Sequence, residues 1–223
     1  MNDVDSTCYI TNVTGKNITN RLIKLHSAPN AIVDGWHFEK TAGIIPQAGG
    51  ISSATVEAQQ APATILNGRI HFDGVWNNEI VRNHTDRGDY RYGGSITSNI
   101  SALVENANDN SIVVVCLTST AGNTGTTYPD SLYNANISNV VVEGTIKSVV
   151  SVNLRGSLQN TINISNVVAN LSSGLIAASG ASTAKLYVNA TNILNVGTVK
   201  PITNGFIYST RVFSGNNIVG FVS

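Results

Sequence analysis

The sequence is poor in charge, in aromatics and in sulfur. Only 12% of its 223 residues are charged, and the 13 basic and 13 acidic residues cancel. That balance gives no electrostatic reason to hold nucleic acid or an anionic membrane. Aromatics make up only 6%, while hydrophobic residues reach 42%, so a core is possible. No apolar run approaches the roughly 20 residues that a membrane helix needs. The two cysteines, Cys8 and Cys116, are far apart. One pair in a chain of this size does not make a disulfide framework. Cys116 closes the apolar run Ile112-Val113-Val114-Val115 and reads as a buried thiol. The opening residues Met1 to Asp5 have neither a basic nor an apolar stretch, so a secretory signal is not expected, or has been removed.

Motifs of common chemistry are also missing. There is no P-loop, no Gly-x-Gly-x-x-Gly, no His-Glu-x-x-His, no Cys-x-x-Cys and no Gly-x-Ser-x-Gly. The four histidines, His26, His37, His71 and His84, lack metal-ligand spacing. Asn106 to Asn110 resembles a calcium loop only faintly, with one acid and no glycine. No cofactor or metal is expected.

What fills the chain is Asn, Ser, Thr, Gly, Val and Ile, which suit strands and tight turns. Eight Asn-x-Ser/Thr sequons follow from that composition and read as chance matches. Helix signals are confined to Ser53 to Ala61, one or two turns ended by Pro62.

A repeat organises the second half. Asn136-Ile137-Ser138-Asn139-Val140 recurs as Asn163-Ile164-Ser165-Asn166-Val167, and more loosely as Asn189-Ala190-Thr191-Asn192-Ile193. The spacing is about 27 and then 26 residues, inside the range of stacked repeats. Each copy continues into apolar residues, a turn (Gly144, Ser172 to Gly174, or Gly197) and a second apolar stretch. We align those second stretches as Val149 to Val152, Leu175 to Ala177 and Phe206 to Tyr208. A third stretch contains Thr161-Ile162, then Lys185 to Val188, then Arg211 to Phe213.

Three short strands per repeat predict one coil of a parallel β-helix. Such strands bury an apolar face only by stacking on neighbouring coils. The repeated asparagines Asn136, Asn163 and Asn189 should then form a ladder, amide to amide, at about 4.8 Å per layer. About eight coils, roughly 40 Å, fit the chain length. The alternative is a β-sandwich with hairpin turns at Asn67-Gly68 and Asn204-Gly205.

The chain reads as one continuous domain in two portions. Residues 134–223 carry regular coils and a C-terminal strand. Residues 1–133 form an irregular portion that echoes the motif at Ile10 to Val13, Asn17 to Asn20 and Ser98 to Ser101. There the pattern breaks at residues 41–63 and 76–95, read as loops growing from one face.

The densest chemistry is Trp76 to Tyr92. It holds six of the chain's 26 charged residues, with Trp76, Tyr90 and Tyr92 among them. Aromatic faces stack on sugars, and Arg and carboxylates bond hydroxyls and acidic groups. Glycan-binding candidates are Trp76, Arg82, His84, Arg87, Tyr90 and Arg91, with Trp36 and His37 from Asp34 to Glu39. A subunit interface or a solvated loop would have the same composition. Alternation places Trp36 and Phe38 on one face and His37 and Glu39 on the other, with core the commoner fate of Trp36. Ile70 and Phe72 likewise face inward, His71 and Asp73 outward. Glycoside hydrolysis needs two carboxylates, one held protonated. Candidates are Asp73, Glu79, Asp86 and Asp89, with Glu39 beside them, and nothing selects a pair. A lyase would draw its base from His37, His71 or His84.

The Asn-Ile-Ser-Asn-Val coils, the Ile/Val/Asn/Gly composition and the stretch Ile32 to Glu39 resemble the right-handed β-helix of the pectate-lyase-like superfamily. Low aromatic content and few charges are similar to that fold in phage tailspikes and tail fibres. The resemblance is best over residues 134–213 and maps no catalytic motif. It implies a trimeric virion protein, assembled in the host cytoplasm, that binds and in many cases cleaves bacterial surface polysaccharide. A structural trimerisation or capping module of a longer fibre is the other expectation. The apolar C-terminal strand Asn217 to Val222 adds to the case for an oligomer.

Overall fold

The computed structural model describes residues 7–26, 28, 30–41, 53–59, 62–75, 78–85, 95–107, 112–119, 133–154, 157–180, 183, 185–204 and 210–222. Among them there is no helix. Twelve strands form one strongly curled sheet, and every strand pair is parallel. A sandwich of hairpins would need antiparallel pairs, so that alternative is overturned. Asn67 and Gly68 lie inside a strand, not in a hairpin turn.

The strands fall into two columns. The first stacks β1 (Tyr9–Lys16), β3 (Ala31–Lys40), β5 (Ala63–Asp73) and β7 (Ser95–Glu105). The second stacks β2 (Ile23–His26), β4 (Ser53–Gln59), β6 (Asn78–Thr85) and β8 (Val113–Ser119). β9 (Asn134–Leu154) joins them: its first half pairs with β7 and its second half with β8. β10 (Gln159–Gly180) and β11 (Lys185–Asn204) continue both columns, and β12 (Thr210–Phe221) lies mainly on the first.

The expected three strands per repeat therefore appear in the later part as single long strands with bends. One alignment needs correcting. Ile176 pairs with Val150 and with Ile202, so the third copy of the second stretch is Pro201 to Thr203. Residues 206–208 lie outside the described residues. Pairing register, not apolar content, sets the correspondence.

Two further expectations change. The segment from Ser53 is strand, not helix. β4 is paired on both sides, and Ala54, Val56 and Ala58 are buried together with Thr55, Glu57 and Gln59. Pairing on both edges outweighs the mild helical preference of Ala and Glu. Within the ranges 41–63 and 76–95, Ser53–Gln59 and Asn78–Thr85 are likewise paired strands.

Inside, side chains stack in rows. One row runs Trp36, Gly68, Ile100, Val140, Val167 and Ile193. The indole of Trp36 lies over Gly68, where a Cβ would come 2.2 Å from Cζ2. The glycine makes the room for the one large ring in the row. Beside it Phe38 and Phe72 meet edge to face, with centroids 6.2 Å apart.

The first column turns a corner at one position in every layer. Asn12, Gly35, Asn67, Asn99, Asn139, Asn166, Asn192 and Asn217 all have φ between 52 and 69°. That left-handed region suits Asn and Gly. The asparagine amides run as a one-way ladder. Asn217 donates to Asn192, Asn192 to Asn166, Asn166 to Asn139, Asn139 to Asn99, and Asn99 to Asn67, each Nδ2 to Oδ1 at 2.9–3.0 Å. Asn67 donates at 2.6 Å to the carboxylate of Asp34, beside the glycine that takes the corner in that layer. A shorter ladder holds the asparagines expected from the repeat: Asn189 donates to Asn163 at 2.8 Å and Asn163 to Asn136 at 2.9 Å.

Two buried asparagines tie layers through the backbone. Asn160 accepts from Tyr133 N–H at 2.8 Å and donates to the carbonyls of Leu158 and Lys185. Asn195 accepts from Leu171 N–H at 2.8 Å and donates to the carbonyls of Gly197 and Gly220. Each serves backbone groups in its own layer and in both neighbouring layers.

Candidate functional site

Beyond the corner, strands of the first column alternate cleanly. Trp36, Phe38, Ile70, Phe72, Ala102 and Val104 point in, and His37, Glu39, Arg69, His71, Asp73, Ser101 and Glu105 point out. Strict alternation over a half-buried surface is what the sequence predicts here. Parallel register then lines the outward residues into rows. Thr14, His37, Arg69 and Ser101 make one, and Lys16, Glu39, His71 and Leu103 make the next. Neighbours in a row are one strand spacing apart, about 4.8 Å.

The acids of this face are engaged. Lys16 Nζ lies 2.8 Å from Glu39 Oε2, and His37 Nε2 lies 3.8 Å from Glu39 Oε1. Hydrogen bonding and charge from Lys16 hold the Glu39 carboxyl below its ordinary pKa. His71 Nε2 lies 2.9 Å from Glu105 Oε2. Asp73 accepts a hydrogen bond from Asn106 Nδ2 at 2.8 Å. Arg69 is exposed and meets no carboxylate among the described residues.

The other candidates divide. Trp36 is only 2% exposed, so it is a core residue and not part of a binding surface. Glu79 and Arg82 pair with each other. Arg82 Nη2 donates to Glu79 Oε1 at 3.0 Å, and Nε lies 2.5 Å from Oε2 without hydrogen-bond alignment. Both side chains are nearly covered, at 12–13% exposure, which takes them off an open glycan surface. His84 lies on β6, and its side chain is outside the described residues. Trp76, Asp86, Arg87, Asp89, Tyr90 and Arg91 also lie outside them.

Behind the Glu79–Arg82 pair sits Cys116, opposite Arg82 in register. Burial, with Glu79 adding to it, raises its thiol pKa well above the ordinary value, as the reading of an inert buried thiol requires. Cys8 is exposed, and neither cysteine is bonded. On β4, Glu57 is buried and paired with Arg21 and Lys24. Glu57, Glu79 and Arg82 on β4 and β6 are thus covered, whereas Lys24 and His26 on β2 are exposed, as much of the first column is.

Along the first column the outward row changes character. After Thr14, His37, Arg69 and Ser101 it continues as Val141, Val168, Leu194 and Val219. These four apolar side chains are 42–55% exposed. Sequence reasoning missed this stripe, although the apolar residue directly after each repeated motif, Val141, Val168 and Leu194, was its signal.

No group of His, Cys, Asp and Glu among the described residues is placed to hold a metal. Comparison with protein-family models, with characterised proteins and with solved structures finds no match to this chain.

Proposed function

We propose that the chain is a right-handed parallel β-helix serving as a viral host-attachment subunit, of tailspike or tail-fibre type, that binds bacterial surface polysaccharide. One observation supports the binding role above others. The outward face of β1, β3, β5 and β7 presents Lys16, His37, Glu39, Arg69, His71 and Asp73 on a rigid, regularly spaced backbone. Fixed polar and charged groups of both signs in rows suit a polymer of hydroxylated rings, which offers many hydrogen-bonding groups along one line. The fold reading rests on parallel pairing at offsets near 26 residues and on the asparagine corners.

Cleavage finds less support. Glu79 is committed to Arg82, and Glu39 is driven toward its ionised form, the opposite of what a general acid needs. A homotrimeric fibre element is favoured by a different observation, the apolar row Val141, Val168, Leu194 and Val219. A second copy laid parallel repeats at the same axial spacing and covers that row layer by layer.

The test is incubation with panels of capsular polysaccharide and lipopolysaccharide, reading binding and release of reducing or unsaturated ends. Binding without release is expected. Release converts the reading to a depolymerase, and failure to bind any polymer removes it. Light scattering at low micromolar concentration is expected to give three copies, and a monomer would refute the assembly.

A further inference from the structure

Building on the polysaccharide reading, we infer that the face on β3 and β5 selects an acidic polysaccharide, with Arg69 reading the sugar carboxylate between His37 and His71. The inference comes from which charges on this face are already used. Every carboxylate there has an internal partner: Glu39 has Lys16, Glu105 has His71, Asp73 has Asn106, and Asp34 has Asn67. These contacts hold the acids in place on the protein, Glu39 and Glu105 against basic side chains and Asp73 and Asp34 against amides. Arg69 is exposed and has no acid among the described residues.

Its nearest neighbours in register and along the strand are not acids, and the diagonal Glu39 is held by Lys16. His37 precedes Arg69 in its row and Ser101 follows it. His71 lies two residues along β5, on the same face. An anionic group over Arg69 therefore meets a planar guanidinium able to bond it bidentately. The His37 backbone lies one strand spacing away, about 5 Å, and that of His71 two residues along the strand, about 7 Å. A neutral sugar would leave that cation with water alone. With each of these acids already held by the protein, Arg69 is the group left open to an incoming anion.

The experiment uses uronate-bearing capsular polysaccharides and the same polymers after their carboxyls are reduced to alcohols. Affinity is measured on the whole chain by calorimetry. The acidic forms are expected to bind more tightly, with about a tenfold or larger loss on Arg69→Ala and partial recovery in Arg69→Lys. The preference should also shrink as salt rises. Circular dichroism checks that the variants fold. Equal binding of native and reduced polymers, or an Arg69→Ala variant that keeps the preference, overturns the inference and leaves the polysaccharide reading standing. Binding of neither form, across the panel, overturns both.

Discussion

The early and late strands solve one problem in two ways. In β1 to β8 each layer is made of two separate strands, and charge collects on both columns: exposed or half-buried on the first, at Lys16, Glu39, Arg69, His71 and Glu105, and covered on the second, at Glu57, Glu79 and Arg82. In β9 to β11 each layer is one unbroken strand of 20 to 22 residues, with outward positions taken mainly by Asn, Ser, Thr and aliphatic residues and only a few charges, Glu143, Lys185 and Lys200 among them. The late layers get their regularity from repetition, since matching residues fall at matching places. The early layers vary in length, with register offsets that reach 40 residues between Ile96 and Asn136 and drop to 23 between Tyr9 and Ile32. Variable length is what leaves room for special side chains. The difference teaches that the regular half carries the geometry and the irregular half carries the chemistry.

The sharpest way to break this comparison is at the seam. Gly144, in β9, has φ 92°, and a Cβ there would come 1.9 Å from the carbonyl oxygen of Val104 in β7. Backbone cannot yield as a flexible side chain does. Gly144→Ala should cost about 3 kcal/mol or more, combining a disfavoured φ with a forced separation of layers. Urea denaturation measures it. A loss below about 1 kcal/mol would mean that the early and late layers are not held in this register.

Next in size is Asn160→Ala. Its fully buried amide satisfies Tyr133 N–H and the carbonyls of Leu158 and Lys185. Truncation leaves buried backbone groups unpaired, at about 2–3 kcal/mol. The exposed ladder offers the contrast. Asn166→Ala breaks two amide bonds, to Asn139 and from Asn192, but water reaches both partners. About 1 kcal/mol is expected. If the two variants lose the same stability in parallel thermal melts, the distinction between buried ties and surface ladder is wrong.

How much of this was legible depended on whether the cause was local. The motif around Asn136, Asn163 and Asn189 announced the stacking, because repetition in sequence becomes repetition in space once strands pair. Alternation placed His37, Glu39, Ile70, His71 and Phe72 correctly for the same reason. What stayed hidden depends on partners distant in sequence. Nothing in the Asn-Ile-Ser-Asn-Val string says that its second asparagine, not its first, takes the corner and the longer ladder. Ala54 to Gln59 is helical in composition and becomes strand because two other strands flank it. The cluster at Trp76 to Tyr92 was singled out for its composition, yet Glu79 and Arg82 use their charges on each other. Nothing local marks Arg69, between Gly68 and Ile70, as a site residue; only register puts it beside His37.

The smallest effect concerns the charged face itself. Lys16 reaches across one layer to Glu39, and by hydrogen bond and charge it lowers the carboxyl pKa. A folded pKa below the unfolded one stabilises the protein above the unfolded value, and that contribution is lost as pH falls through the folded value. The pair therefore helps only above the acidic range and fades within it. Both side chains are substantially exposed, so the effect on stability is slight, and the titration itself is the better readout. In Lys16→Ala, carboxyl NMR should show the Glu39 midpoint rising toward the ordinary glutamate range, with the melting temperature almost unchanged at neutral pH. His37, 3.8 Å from the same carboxyl, and His71 opposite it in register add to the depression, so the recovery in Lys16→Ala is partial and is larger in the Lys16→Ala, His37→Ala pair. A Glu39 midpoint that does not move in either variant would mean that the acids of this face are not engaged internally. The contrast between occupied carboxylates and an open guanidinium at Arg69 would then lose its basis.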